Sequence, residues 1–263
     1  MTTTALTDAR LTRIACEIDD AVARIELRNP PLNVIDISMM EELARSLAEV
    51  EARSDISVVV LSGVGKAFSA GVDVAAHTPD KVEEMLTKFH GVIRALVASA
   101  KVTIASVHGL CLGGGAELAM VCDLVYTIDD AEWGFPEIRL ACFPPVACTA
   151  LAALVGQKRA AEMVLTGRSI TGREAAEIGL VTRAVAEKQL DFVMQTATAQ
   201  PLRLSPAALR VAKKASYAWD AMHFDKGLAR AEKIYFDDLM KTADAHEGIR
   251  AFLEKRVPKW TGK

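Results

Sequence analysis

Aromatic side chains are scarce: only 5% of the 263 residues are Phe, Trp or Tyr. A nucleic-acid surface needs aromatics interleaved with a basic stripe, and this composition argues against one. Charge of a single sign is also missing, because 31 Lys and Arg face 34 Asp and Glu and leave a net charge of −3. Such a balance creates no field that draws a protein to nucleic acid or an anionic membrane. No apolar run reaches the length of a membrane span, and "MTTTALTDARLTRIACEID" lacks the basic and apolar regions of a secretory signal. A cytoplasmic protein without a membrane partner is the expectation. The five cysteines, Cys16, Cys111, Cys122, Cys142 and Cys148, are odd in number and lack CxxC spacing, so they read as reduced and mostly buried. His77, His90, His223 and His246 stand at no ligand spacing, and no metal is expected.

What is present is apolar bulk in an ordered pattern, since 51% of the residues are hydrophobic, enough for a sizeable core. "RIACEID" and "VARIELR" alternate partially and suggest a hairpin. Met40, Leu43, Leu47 and Val50 recur at spacings of three and four, which predicts a helix capped at Ser38. "ISVVVLSG", "KVTIASVHG" and "DLVYTID" read as buried strands, and Val82, Met85, Phe89, Ile93 and Leu96 define the face of an intervening helix. "TGREAAEIG" has the capping-box pattern from Thr171 to Glu174, and Ser205 with Pro206 opens another helix. The remainder is helical by periodicity, with Asp244 as a cap. These patterns predict an α/β core over residues 1–195 and a helical region over 196–263, with no low-complexity linker between them.

Two glycine-rich stretches follow strands. In "HGLCLGGGAELAM", Gly113, Gly114 and Gly115 precede a helix, where the first N–H groups lack intrahelical partners and the dipole favours negative charge. The stretch matches neither GxGxxG nor a Walker loop, and no GxSxG marks a serine nucleophile. With "GVGKAFSAGVD" after the preceding strand, two backbone donors from two loops could converge on one oxygen, either a phosphate or an oxyanion. Glu117 lies in the first turn of the glycine-opened helix, a place the dipole favours for structural reasons alone. Glu137 stands among Trp133, Phe135, Ile138 and Leu140, surroundings that raise a carboxyl pKa toward an acid/base role. Two carboxylates in one pocket point to proton transfer, because they repel phosphate.

The segments "GKAFSAGVDV", "HGLCLGGGAELAMVCDLVY" and "WGFPEIRLACFPP" resemble those of the enoyl-CoA hydratase/isomerase (crotonase) superfamily. The resemblance runs from about Arg13 to Lys259. It implies a crotonase-like spiral of ββα units, with C-terminal helices that build homotrimers, commonly stacked as hexamers. It also implies an acyl-CoA substrate and no cofactor, CoA being part of the substrate. The N–H groups of Ala70 and Gly114 match the oxyanion-hole positions, and Glu117 and Glu137 match the two catalytic glutamates of the hydratases. In that scheme Glu117 activates water for the β-carbon and Glu137 delivers a proton to the α-carbon. CoA would lie along Lys66, Ala67, Phe68, Ala70, Val72, Asp73 and Val74, with Lys255 and Lys259 over its nucleotide end.

Two departures from the common hydratases concern the acyl pocket, expected from Trp133, Phe135, Leu140, Pro145 and Val146. Phe135 replaces a glutamine, and "PPVACT", Pro144 to Thr149, replaces a glycine-rich segment, giving a drier and bulkier wall. The sequence resembles the cyclohexadienecarbonyl-CoA hydratases in particular, which implies a cyclic dienoyl substrate; the equal alternative is a neutral repacking of a general hydratase. Two alternatives stand beside hydration: a Δ3,Δ2-enoyl-CoA isomerase using Glu137 alone, and a non-catalytic RNA-binding protein on the same fold.

Overall fold

The structure, a computed structural model, describes residues 4–5 and 11–262, without the side chains of 4–5 and 218–222. Most of the N-terminal stretch "MTTTALTDAR" lies outside the described residues. The strands β1 (Thr4–Ala5), β2 (Ile14–Asp19) and β3 (Val22–Leu27) pair antiparallel in sequence. Asp20 makes the tight β2–β3 turn at φ 55°, in the left-handed region that Asp tolerates better than most residues.

From β3 onward the chain repeats one unit, a strand, a second strand and a helix, the second strand of the first unit being reduced to the single bridge of Ile35 to Val72. The first unit closes with α1 (Ile37–Ala52). The second is β4 (Val58–Gly63), β5 (Ala67–Ser69) and α2 (Val82–Ala98). The third is β6 (Val102–Val107), β7 (Leu110–Leu112) and α3 (Gly114–Met120). The fourth is β8 (Leu124–Ile128), β9 (Glu132–Gly134) and α4 (Pro145–Val155), with a 3-10 turn over Pro136–Leu140 before the helix. After α5 (Gln157–Thr166) come β10 (Ser169–Thr171), α6 (Gly172–Glu177) and β11 (Arg183–Val185).

First strands enter one sheet, ordered β1-β2-β3-β4-β6-β8-β11, and second strands enter another, ordered β10-β9-β7-β5. Pairing is parallel from β3 through β11 and from β5 through β9. Parallel strands covered on both faces read as continuous apolar runs, which is why "ISVVVLSG" and "DLVYTID" were legible. The helices α7 (Leu190–Leu202), α8 (Pro206–Asp237) and α9 (Ala243–Leu253) complete the chain.

Several local expectations change. Asp36, not Ser38, caps α1 by accepting from the Met39 N–H, and Thr242, not Asp244, caps α9. Asp244 instead accepts from the N–H groups of Thr261 and Gly262 and ties down the C-terminal segment. Thr171 and Ser205 cap as expected. The expected division at residue 195 falls inside the continuous helix α7, so the break between elements lies instead at 203–205.

Candidate active site

The ends of β5, β7 and β9 in the smaller sheet bring three loops together. A Cβ added at Gly113 would stand 2.5 Å from Glu137 Oε1, and one at Gly114 would stand 2.6 Å from Val72 Cγ2. At Gly115 it would meet Ser69 Cβ at 2.7 Å. Each glycine of the triplet therefore admits a different neighbour, and no larger residue leaves room for them.

The loop after β5 keeps one backbone donor free while its neighbours are engaged. Ala70 donates its N–H to Leu32 O at 2.9 Å, Gly71 donates to Ser69 Oγ at 3.1 Å, and Asp73 donates to Ile35 O at 3.0 Å. Val72 N–H has no partner among the described residues and lies 3.4 Å from where a Gly114 Cβ would be. This corrects the expectation for Ala70, whose N–H already serves the backbone. The Gly114 N–H, at the start of α3, has no intrahelical acceptor. The loop is held from behind by Asn33, whose Nδ2 donates to Val64 O and Ala67 O, and by Ser69 Oγ donating to Asn33 O at 2.7 Å.

Glu117 and Glu137 line one cavity of about 400 Å³, together with Ala70, Val72, Gly113 and Gly114. Pro145 opens α4 at its first position, where the missing N–H costs nothing. The next turn offers the Ala147 N–H to Glu117 Oε1 at 2.9 Å. Glu137 Oε2 is buried without a hydrogen-bond partner.

Burial pushes the Glu117 carboxyl above the ordinary carboxylate range, and the amides of Ala147 and Val146 pull it partly back. Burial also raises Glu137, and there the charge of Glu117 adds to the rise. Both carboxyls therefore hold a proton more tightly than exposed ones do, and the helix amides favour the ionised form at Glu117. Two raised carboxyls in one cavity suit a shared proton, one side chain accepting while the other donates, as acid/base chemistry at neutral pH requires.

Other expected residues are distributed less simply. Leu140 and Pro145 line the cavity, whereas Trp133, Phe135 and Val146 are fully buried and do not. Trp133 Nε1 donates to Thr127 Oγ1, which turns the indole into the core. Val74 also lines the cavity, while Ala67 and Phe68 are buried in β5 and the Asp73 side chain caps the turn Val74–His77. Lys66, Lys255 and Lys259 are exposed and away from the lining. His77, His90, Phe143 and Tyr235 do line it, and no sequence spacing had singled them out.

The family model for enoyl-CoA hydratase/isomerase matches residues 17–263. The chain belongs to the enoyl-CoA hydratase/isomerase family. It is 34% identical over 251 residues to the cyclohexa-1,5-dienecarbonyl-CoA hydratase of Thauera aromatica, covering 95% of this chain and 97% of that one. It is 36% identical to the 2,3-dehydroadipyl-CoA hydratase of Escherichia coli, over 88% of this chain and 91% of that one. Among solved structures, the enoyl-CoA hydratase from Bacillus anthracis superposes with a TM-score of 0.76 at 30% identity, covering 96% of this chain and 100% of that one. With this family the chain shares the crotonase-type fold, a spiral of ββα units followed by C-terminal helices.

Proposed function

We propose that this protein adds water reversibly across the α,β double bond of an acyl-CoA thioester, and that the acyl group is a cyclic diene. One observation carries the reaction class: two buried carboxyls share a cavity with two unpartnered amides.

The thioester oxygen accepts from the N–H groups of Val72 and Gly114. Each such donor contributes about 2.7 to 4 kcal/mol to a transition state that gathers charge on that oxygen. Water held between the carboxyls gives a proton to ionised Glu117 as its oxygen bonds to the β-carbon, and the π electrons move to the thioester oxygen. Glu137 then protonates the α-carbon as the enolate collapses. Glu117 ends protonated and Glu137 ionised, and one proton exchanged through water restores the pair. No cofactor enters, since CoA arrives with the substrate.

A pair serves hydration better than isomerisation, which needs Glu137 alone. The cyclic substrate is supported by the likeness to the Thauera aromatica hydratase and by the stiff Pro144–Pro145 wall. CoA would leave the cavity past Val72 and Val74. Homotrimers are supported by Leu154, Leu165 and Ile234, exposed apolar residues around a groove of about 900 Å³. No helix among the described residues is long and apolar enough to cross a membrane. A cytoplasmic location is supported by the free cysteines. The test is a panel of thioesters read by absorbance and mass. Gain of one water by a cyclic dienoyl-CoA supports the reading, whereas strong preference for crotonyl-CoA removes the cyclic part.

A further inference from the structure

Three residues lining the cavity keep a buried polar atom without a hydrogen-bond partner: Glu137 Oε2, His90 Nε2 and Tyr235 Oη. Leaving such groups unmade is costly, and buried polar atoms in folded proteins nearly always find partners. Glu137 is accounted for by proton transfer. The proton transfers proposed above use neither of the other two.

His90 is fully buried on α2, with Phe89 beside it at 6.0 Å between ring centres. Its Nδ1 lies 2.7 Å from Glu232 Oε1, and Arg94 Nη2 donates to the same oxygen at 2.8 Å. A carboxylate held by Arg accepts only, so Nδ1 carries the ring proton. Burial lowers the affinity of the ring for a second proton. Nε2 therefore presents a lone pair and calls for a donor.

Tyr235 follows Glu232 by three residues on α8, so both side chains share one helix face. Its ring packs edge-on against Phe143 at 5.1 Å. Near the hydroxyl are the Cys142 thiol, a weak partner that leaves it unsatisfied, and the carboxyls of Glu137 and Glu117. The hydroxyl can both donate and accept. A hydrocarbon ligand would leave both groups unsatisfied. A carboxylate would set its own lone pairs against that of His90, and a ketone would answer Tyr235 alone. A hydroxyl donates once and accepts as well, which matches the two groups together.

We propose that the acyl group this protein binds carries a hydroxyl in addition to the reacting double bond, donating to His90 Nε2 and accepting from the Tyr235 hydroxyl. The inference rests on the reading of the cavity as an acyl-CoA site. It makes His90 and Tyr235 specificity-determining residues, with Glu232 and Arg94 fixing the tautomer of the first.

The test is equilibrium binding by calorimetry with non-reactive saturated thioesters, cyclohexanecarbonyl-CoA against its 3-hydroxy and 4-hydroxy derivatives, on the full chain. One hydroxylated ring should bind about tenfold more tightly than the plain ring. Tyr235→Phe removes a single oxygen, and His90→Leu removes the lone pair; each should bring that preference to within about twofold. A packing defect would weaken both thioesters alike and leave the ratio unmoved, and Tyr235→Phe decides the matter if the histidine variant does not fold. Equal or tighter binding of the plain ring, or a preference that survives Tyr235→Phe, overturns the proposal. Binding of none of the thioesters overturns the acyl-CoA reading along with it. Hydration of an enoyl-CoA without any hydroxyl preference overturns this inference alone.

Discussion

The Ala147 N–H donates to Glu117 Oε1 at 2.9 Å, so the N-terminus of α4 rests on a carboxylate that projects from α3. Two helix starts thus favour the ionised form of Glu117, while at Glu137 only its own backbone N–H, in a short 3-10 turn, acts in that sense. The asymmetry of the acid and base follows from that contact.

Replacing Glu117 by Gln removes the base and should lower kcat for hydration by about 10² to 10⁴ fold. Glu137→Gln should fall in the same range. Steady-state assays of both variants check this. An enzyme that kept most of its turnover after Glu117→Gln would be moving a double bond with Glu137, not adding water.

The activity should follow a bell-shaped pH profile. The reaction needs Glu117 ionised and Glu137 protonated, so kcat falls at low pH as Glu117 gains a proton and at high pH as Glu137 loses one. Both carboxyls are raised, so both limbs should lie above the ordinary carboxylate value of 4.5. An acid limb at the ordinary value would contradict the burial of Glu117.

The same shifts make stability depend on pH with a definite sign. The folded state binds these protons more tightly than the unfolded state, so stability is greatest below the unfolded value and falls as pH rises through the raised folded values. Glu137→Gln should therefore stabilise the protein at pH 8, by on the order of 1 to 3 kcal/mol, and the gain should vanish below pH ~4. Thermal unfolding of the two proteins at both pH values measures it.

Gly114→Ala should disable the oxyanion grip while leaving the fold in place. Its Cβ would stand 2.6 Å from Val72 Cγ2, so the loop bearing the Val72 amide must move. Losing one donor costs about 10² to 10³ in kcat. Circular dichroism together with kinetics separates this from unfolding.

In solution the chain should be a trimer or a pair of trimers. Leu165, 69% exposed, and Leu154, 42% exposed, line the large apolar groove. Leu165→Glu should shift the mass seen by light scattering toward the monomer. A monomeric parent protein would show that the groove serves another purpose.

Long elements were legible in the sequence because they repeat. α1, α2 and the buried strands announced themselves through spacing and apolar runs, and Glu117 and Glu137 through their motifs. The strands β5, β7 and β9 have three residues each, too few for any period to show, yet they aim the site. Val72 was hidden for a related reason: a free amide is found by following its neighbours' hydrogen bonds, and these depend on Leu32 and Ile35, far away in sequence. Trp133 and Phe135 stand beside Glu137 in the chain, but strand alternation turns Trp133 into the core, opposite in sense to what adjacency suggested. His90 and Tyr235 meet the cavity only because α8 folds back across α2.

The recurring strand–strand–helix module has a consequence for how such a catalyst can change. The amide of Val72 hangs from the second module, the Gly114 amide and Glu117 from the third, and Glu137 from the fourth. Grip and proton carriers are thus spread over three coils of one spring. Either carboxyl can be exchanged while the clasp on the enolate stays as it was, so neighbouring enolate chemistries lie one substitution apart on an unchanged frame.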